Sequence, residues 1–291
     1  MTDPAARTAL GPMVVVAADQ YEAAPLVHDP LAARLLPAPG RYVAAATRWS
    51  PVRGALKSAT ERKIRGGWLN FLCRKRYIDD QLRAAIANGV EAVVILGAGY
   101  DTRAYRLPEL VGIDVYEVDL PVNIAGKAAA VRRAFGAIPD HVTLVPVDFE
   151  TDDLASSLRD NGFDGRRQRT FYIWEAVTQY LTEPAVRRTF EYFASAAPFS
   201  ELAFTFVRRD FLAGVRTYGA DPARRRFVVD DALWRFGLDP ADVGAFLAEY
   251  GWTEVDQVGT AEYAARYLRP AGRDGAVSEI ERAVCAVRDH D

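Results

Sequence analysis

Val93-Val-Ile-Leu-Gly97-Ala98-Gly99-Tyr-Asp101-Thr-Arg103 decides the fold. An apolar run without a polar break enters a glycine-rich turn and leaves into a segment of helical character. A strand that is apolar at every position is buried on both faces, as in a parallel sheet covered by helices. Glycines let the following turn bend tightly and bring its backbone close to a ligand. In open α/β sheets the ligand lies outside the carboxyl ends of the strands, so a site is expected at this turn and at the strand ends beside it.

Working outward, similar runs recur at 115–120, 142–148, 170–174 and 202–207, and later at 252–258 and 280–288. Segments of helical character lie between most of them, at 122–135, 153–161, 184–197 and 240–250. Such alternation builds right-handed βαβ units. The expected fold is α/β, a Rossmann-like, mostly parallel sheet. Upstream, residues 1–88 read as a helical N-terminal cap. Asp29-Pro30 suits a helix start before Leu31–Leu36, and a periodic pattern from Lys57 reaches a stop at Asn88-Gly89. Residues 89–291 read as the core, with a cap insertion after the fifth strand at about 208–237. That insertion is rich in Arg and aromatic residues, and its periodicity is weak.

Composition narrows the function. The 291 residues suit one large α/β domain or a domain with an added lobe. A net charge of −3 gives no basic excess for nucleic acid or an anionic membrane. Cys73 and Cys285 are far apart and outside any CxxC, which fits a reducing cytoplasm rather than a disulfide framework. His28, His141 and His290 form no zinc motif, so no metal is expected. Met1–Leu10 lacks the order of a secretory leader. Met13–Ala18 is far too short to span a bilayer. A cytoplasmic protein without a membrane anchor is expected.

The strand ends carry the chemistry. A dinucleotide site usually shows GxGxxG with its pyrophosphate on the helix N-terminus. Here Thr102 takes the third glycine position, and the neighbouring Asp101 would repel a pyrophosphate. It would not repel S-adenosyl-L-methionine, which has no phosphate and carries a sulfonium and an ammonium. Asp119, followed by Leu120, ends the second strand 20 residues after Gly99 and suits ribose hydroxyls. Asp148 suits an adenine amino group, and Phe149 offers a stacking face. Glu175 ends the fourth strand. Four acids at successive strand ends are unfavourable to gather unless something cationic neutralises them, and a cationic cofactor would do so. Blander readings stay open: Asp101 as a helix cap, Asp148 as a turn residue, Phe149 as core, and each acid facing water separately.

Together these residues resemble the leucine carboxyl methyltransferase-like family. Its bacterial branch holds candidate S-adenosylmethionine-dependent methyltransferases and some carboxyl methyltransferases of polyketide pathways. The resemblance rests on Leu26-Val-His-Asp29-Pro30-Leu31-Ala32, Arg74-Lys-Arg76-Tyr-Ile-Asp-Asp80, Ile95 to Arg106, Glu117-Val-Asp-Leu-Pro121 and Glu175 to Leu181, and it spans nearly the whole chain. It implies a class I methyltransferase sheet and S-adenosyl-L-methionine as cofactor. It implies that Arg76 meets the cofactor carboxylate, that Gly97 and Gly99 shape the turn, and that Asp119 holds the ribose. Asp148 and Phe149 would hold the adenine and Glu175 the methionine ammonium. The bacterial branch often has Asp-Leu where this chain has Asp148-Phe149, which alters the apolar side of the adenine contact.

Methyl transfer from a sulfonium starts from an activated leaving group, so positioning and desolvation supply much of the rate. No residue is assigned as a general base, which favours O-methylation of a small-molecule carboxylate or acidic hydroxyl. Tyr180, Arg208 and Tyr21 are candidates for binding that acceptor. The cap and the 208–237 insertion are expected to form a lid. Two rival readings remain: an NAD(P)-dependent oxidoreductase on a similar sheet, and a non-catalytic methyltransferase-like binding protein. The sequence leaves the acceptor and the oligomeric state open.

Overall fold

Strands form at each of the apolar runs. The computed structural model describes residues 10–290, so the stretch read for a leader lies, Leu10 apart, outside the described residues. The strands are β1 Ala92–Leu96, β2 Asp114–Asp119, β3 Val142–Pro146, β4 Thr170–Trp174, β5 Glu201–Arg208, β6 Gly237–Leu238, β7 Trp252–Val258 and β8 Glu281–Arg288. Their order is β3-β2-β1-β4-β5-β8-β7, with β6 paired beside the end of β5. The first five strands are mutually parallel, and β8 runs antiparallel to β5 and β7. The strand order reverses at β1, which pairs with both β2 and β4. That crevice is where ligands of such sheets bind.

Alternate side chains of each strand feed two apolar layers. Val93, Ile95, Phe171, Ile173, Ala203 and Cys285 enter one. Val94, Leu96, Tyr172, Trp174, Phe204 and Val284 enter the other. This double burial is what the unbroken apolar runs encode.

Helices α1 Leu10–Asp19, α2 Ala32–Leu35, α3 Ala38–Ala46, α4 Ser50–Lys63 and α5 Gly67–Ala87 precede the sheet. The pattern beginning at Lys57 thus belongs to two helices, not one. They part at Gly66, whose φ is +75° and whose missing Cβ would lie 2.4 Å from the Val277 carbonyl carbon. The apolar periodicity carries across the break, and only the glycine marks it. Helix α5 also belongs less to a cap than to the core. Leu72, Cys73, Ile78 and Leu82 are fully buried in the layer that holds Val93 and Ile173. The expected boundary at residue 88 therefore falls inside one packing unit.

Helices α6 Arg103–Arg106, α7 Pro121–Phe135, α8 Leu154–Asp160 and α9 Glu183–Phe193 fill the crossovers. Asp153 caps α8, accepting from Ala155 N, and Thr182 caps α9, accepting from Ala185 N. The insertion leaves β5 as α10 Arg209–Leu212, continues through α11 Asp221–Arg224 and a π-helical turn at Arg225–Asp230, and returns at β6. A small core of its own includes Val207, Phe211, Ala223, Trp234 and Ile280, with Phe227 stacked on Trp234 at 4.8 Å. Helices α12 Val243–Ala248 and α13 Thr260–Tyr263 flank β7.

One polar cluster inside the sheet layer ties α7 to the crevice. Glu117, fully buried in β2, accepts from Lys127 Nζ at 2.9 Å and from Tyr105 Oη at 2.6 Å. Lys127 also donates to Asp101 O at 2.7 Å, anchoring the turn that follows β1. Removing one partner of a buried ion pair strands the other charge. Lys127→Met is expected to lower unfolding stability by about 3–5 kcal/mol in urea denaturation. Adding Glu117→Gln should recover part of that loss.

Candidate functional site

The turn after β1 is built by backbone geometry. Gly97 N and Ala98 N both donate to Val118 O, at 2.7 and 3.0 Å, which holds the turn against β2. Gly97 has φ +70°, and a Cβ there would lie 2.2 Å from Val177 Cγ2 on the loop after β4. Glycine thus serves two ends here: a left-handed backbone and the close approach of two loops. In that facing loop Ala176 holds a left-handed φ of 59°, with its N–H bonded to Thr205 Oγ1 at 2.8 Å. Such outliers cluster at functional sites because surrounding structure must hold them.

Asp119 closes the far side of the turn. Its carboxylate accepts from Gly99 N at 2.6 Å, Leu120 N at 2.7 Å and Asn123 Nδ2 at 2.7 Å. Asp101 lies on the near side. One oxygen accepts from Arg103 N at 2.7 Å, which covers the backbone where α6 begins. The other is bonded by the Arg103 guanidinium itself.

Arg103 is fully buried and is the hub of the site. Its Nε donates to Asp79 at 2.7 Å, its Nη1 to Asp101 and to Glu175 at 2.8 Å, and its Nη2 to Lys75 O at 3.2 Å. Arg74 holds the remaining Glu175 oxygen through Nε at 2.9 Å and reaches Glu281 through Nη1 at 2.6 Å. Arg106 donates to both oxygens of Asp79 at 2.6 Å. Thr102 Oγ1 donates to Asp29 at 2.5 Å, so the cap residue Asp29 is bonded to the cofactor turn. Burial raises the Glu175 carboxyl pKa, but the Arg103 and Arg74 cations more than offset it and bring the group down to about 2. Burial acts the same way on Asp101. Arg103, Lys75 and Lys127 outweigh it and hold that group well below the ordinary carboxylate range.

The sequence reading pictured four bare acids waiting for a cation, and the structure differs. Asp101 and Glu175 are already neutralised by arginine and lysine from α5 and α6. Asp119 is engaged mainly by backbone donors. Asp148 accepts from Glu150 N at 2.9 Å within its own turn. Phe149 is buried in the core, 6.4 Å from the Trp174 ring. A smaller imbalance remains. Asp29, Asp79, Asp101, Glu117, Glu175 and Glu281 face Arg74, Lys75, Arg103, Arg106 and Lys127, which leaves an excess of negative charge before Asp119 is counted.

Other expected residues stand apart. Arg76 points outward, pairing with Asp80 at 2.9 Å over the Tyr267 ring; the inward guanidinium is that of Arg74, two residues earlier on α5. Tyr21 is largely exposed just past α1. Arg208 is bonded to Asp210 and Glu279, with the Tyr218 ring 5.0 Å away. Tyr180 lies beside the insertion, 6.5 Å from the Trp234 ring. The inward bases Arg74, Lys75 and Arg103 were not singled out from sequence. An arginine inside a cofactor loop and two bases on a core helix were the available signals.

These residues fit S-adenosyl-L-methionine better than a dinucleotide. A pyrophosphate needs free N–H groups at the turn, and the Asp101 carboxylate covers the one at Arg103. The residual negative charge suits a cofactor with a net positive charge. A surface concavity of about 650 Å³ lies elsewhere, between α7 and edge strand β3 along Ile124, Ala128, Val142 and Leu144. It is apolar and holds none of the groups above. Among the described residues no cluster of His, Cys, Asp and Glu could hold a metal ion, and no helix is long and apolar enough to cross a membrane.

Strand order, glycine turn and strand-end acids together define a class I methyltransferase. Residues 9–194 match the model of the leucine carboxyl methyltransferase family, and the chain belongs to that family. A relative from Mycolicibacterium smegmatis, named a candidate S-adenosyl-L-methionine-dependent methyltransferase, is 33% identical over 93% of this chain and 88% of its own. One from Frankia alni, named likewise, is 30% identical over 93% of this chain and 92% of its own. Among solved structures, a candidate methyltransferase from Thermobifida fusca superposes with a TM-score of 0.56 at 14% identity, covering 89% of this chain and 94% of that one. This likeness concerns the fold.

Two outcomes follow from the geometry. Gly97→Ala should abolish detectable cofactor binding in calorimetry, and Val177→Ala should restore part of it by opening the space. Glu175 contributes stability that is complete above its ordinary pKa, near 4.5, and is lost as pH falls toward about 2. Wild type should therefore lose stability between those values more steeply than Glu175→Gln in urea titrations at stepped pH.

Proposed function

We propose that this S-adenosyl-L-methionine-dependent methyltransferase methylates the oxygen of a small-molecule carboxylate or acidic hydroxyl. The observation that carries this reading is the buried charge network at the strand ends, net negative and capped by Asp101 against phosphate, in which no histidine takes part. His28 is exposed on the cap. His141 precedes β3 and its Nε2 lies 3.1 Å from Ala104 O on the outer turn of α6, and His290 follows β8 at the opposite end of the sheet. An acceptor that is already anionic needs orientation rather than a base.

The charge of the cap supports an anionic acceptor. From Arg41 to Arg65 seven residues are basic and only Glu61 is acidic, in a chain whose net charge is −3. Helix α4, inside this stretch, has no buried residue. It abuts α11 of the insertion, so two weakly buried segments meet. We assign them the role of a lid that admits the acceptor and excludes water.

In this mechanism Asp119 receives the ribose hydroxyls, and the loop from Asp148 to Phe149 borders the adenine. Glu175 and Asp101, fixed as anions by Arg103, orient the amino-acid end. The bound cofactor supplies an electrophilic methyl on a good leaving group. Tyr180 and the insertion would border the acceptor and orient its anionic oxygen in line with that methyl.

Mass spectrometry after incubation with S-adenosyl-L-methionine and a panel of small carboxylates and phenols tests the reading. A methyl ester or methyl ether is expected. Exclusive N- or C-methylation in an amine-bearing panel, or tight NADH binding with indifference to S-adenosyl-L-methionine, would refute it. Asp119→Ala should weaken S-adenosylhomocysteine by about 1.5–3 kcal/mol in calorimetry, while the fold is retained by circular dichroism.

A further inference from the structure

The surface of the cap carries a charge that the net charge of the chain hides. Between Ala23 and Thr60 the only acid is Asp29, which is fully buried. Among the described residues, Arg53 is the one basic residue from Arg41 to Arg65 in an ion pair, with Glu22. Arg41, Arg48, Lys57, Arg62, Lys63 and Arg65 are left unneutralised. Glu61, the single acid among them, is taken up by Gly66 N at 2.7 Å and Trp68 N at 3.1 Å. Apolar surface adjoins these cations: Tyr42, Val43 and Trp49 are 76%, 44% and 58% exposed. The other four tryptophans, Trp68, Trp174, Trp234 and Trp252, are buried. Single exposed apolar residues need no explanation. Three within eight positions, leading into a 14-residue helix that buries no residue, do need one.

We propose that this face of the cap docks the protein on an anionic bilayer surface. Trp and Tyr rings rest at the level of lipid headgroups, and Lys and Arg are drawn to anionic lipid. Reversible attachment of this kind is firm only when apolar insertion and a basic patch act together, and residues 41–65 supply both. A nucleic acid would want the Trp49 ring for base stacking, but the Arg48 guanidinium already lies over that ring, 5.2 Å from its centroid. The proposal concerns where the protein works and holds whichever acceptor it methylates.

Flotation of the full chain with vesicles tests this. Wild type should float at low salt with vesicles of equal parts phosphatidylcholine and phosphatidylglycerol. High salt should release it, and pure phosphatidylcholine should leave it behind. Acyl chains brominated near the headgroup should quench tryptophan fluorescence in wild type and not in Trp49→Phe, whose remaining tryptophans are buried. Arg62 and Lys63 are exposed, and the double variant Arg62→Gln, Lys63→Gln should bind the mixed vesicles roughly 25-fold more weakly, about fivefold for each charge. Failure of wild type to float, flotation without quenching, or unchanged affinity in a folded double variant would overturn the proposal. So would binding to polyuridylate or polyglutamate with the vesicles left bare, which would make the partner a nucleic acid or an acidic protein. The wild-type readings decide the matter even if a variant does not fold.

Discussion

The buried guanidinium of Arg103 is the constraint on which the rest of the site depends. It joins three segments distant in sequence: Asp79 on α5, Asp101 in the turn after β1 and Glu175 at the end of β4. A planar, permanently charged fork can serve three carboxylates at fixed angles, whereas an ammonium cannot. Apolar packing puts α5 against the sheet but leaves the strand ends free to splay. The ion network sets their spacing, and that spacing decides whether a nucleoside fits. Such networks specify arrangement more surely than they add stability, because the desolvation of each charge opposes its attraction. Here Asp79, Asp101 and Glu175, the acids that Arg103 joins, each have at least two partners, the condition under which a buried polar network rigidifies a site.

The same network changes the electrostatic account of cofactor choice. A set of uncompensated acids would attract any cation and would bind protons instead as pH fell. Acids clamped by arginine stay ionised and immobile, so the crevice offers fixed dipoles rather than loose charge. Discrimination then comes from two features. The Asp101 carboxylate denies the helix start to phosphate. A slight excess of acids over bases leaves the pocket mildly negative. Together they favour a small cationic nucleoside over a pyrophosphate without a strongly charged, self-repelling cavity.

The sheet was legible because burial on two faces leaves a direct trace: short, mainly apolar runs, most of them ended by glycine or acid. The strand ends at Asp119 and Glu175 were legible for the same reason, since an acid closing such a run must sit at the sheet's edge. Partnership was not legible. Whether Asp101 faces a ligand or an arginine depends on helix rotation, and a shift of two residues along α5 exchanges the outward Arg76 for the inward Arg74. In a helix those positions stand about 200° apart, so a motif can place a basic residue near a site without saying which one enters. The break at Gly66 was hidden likewise, because an apolar stripe continues in phase across it. Phe149 shows the opposite case: it is buried in the core, with the Trp174 ring tilted 44° to it at 6.4 Å.

The two halves of the molecule divide the work along this line. The strand-end side is rigid, because Asp79, Asp101 and Glu175 are all held by the Arg103 guanidinium. Helix α4 and the insertion it abuts are held less tightly. Helix α4 buries no residue, Tyr42 and Trp49 beside it are exposed, and the insertion rests on a small core of its own. Elements with few buried apolar contacts open at low cost. A methyl-transfer site needs both properties, since the donor must be held in one geometry while the acceptor enters and leaves. The relatives match this chain along nearly its full length at about 30% identity. Change confined to α4, which buries no residue, would leave the Arg103 hub intact.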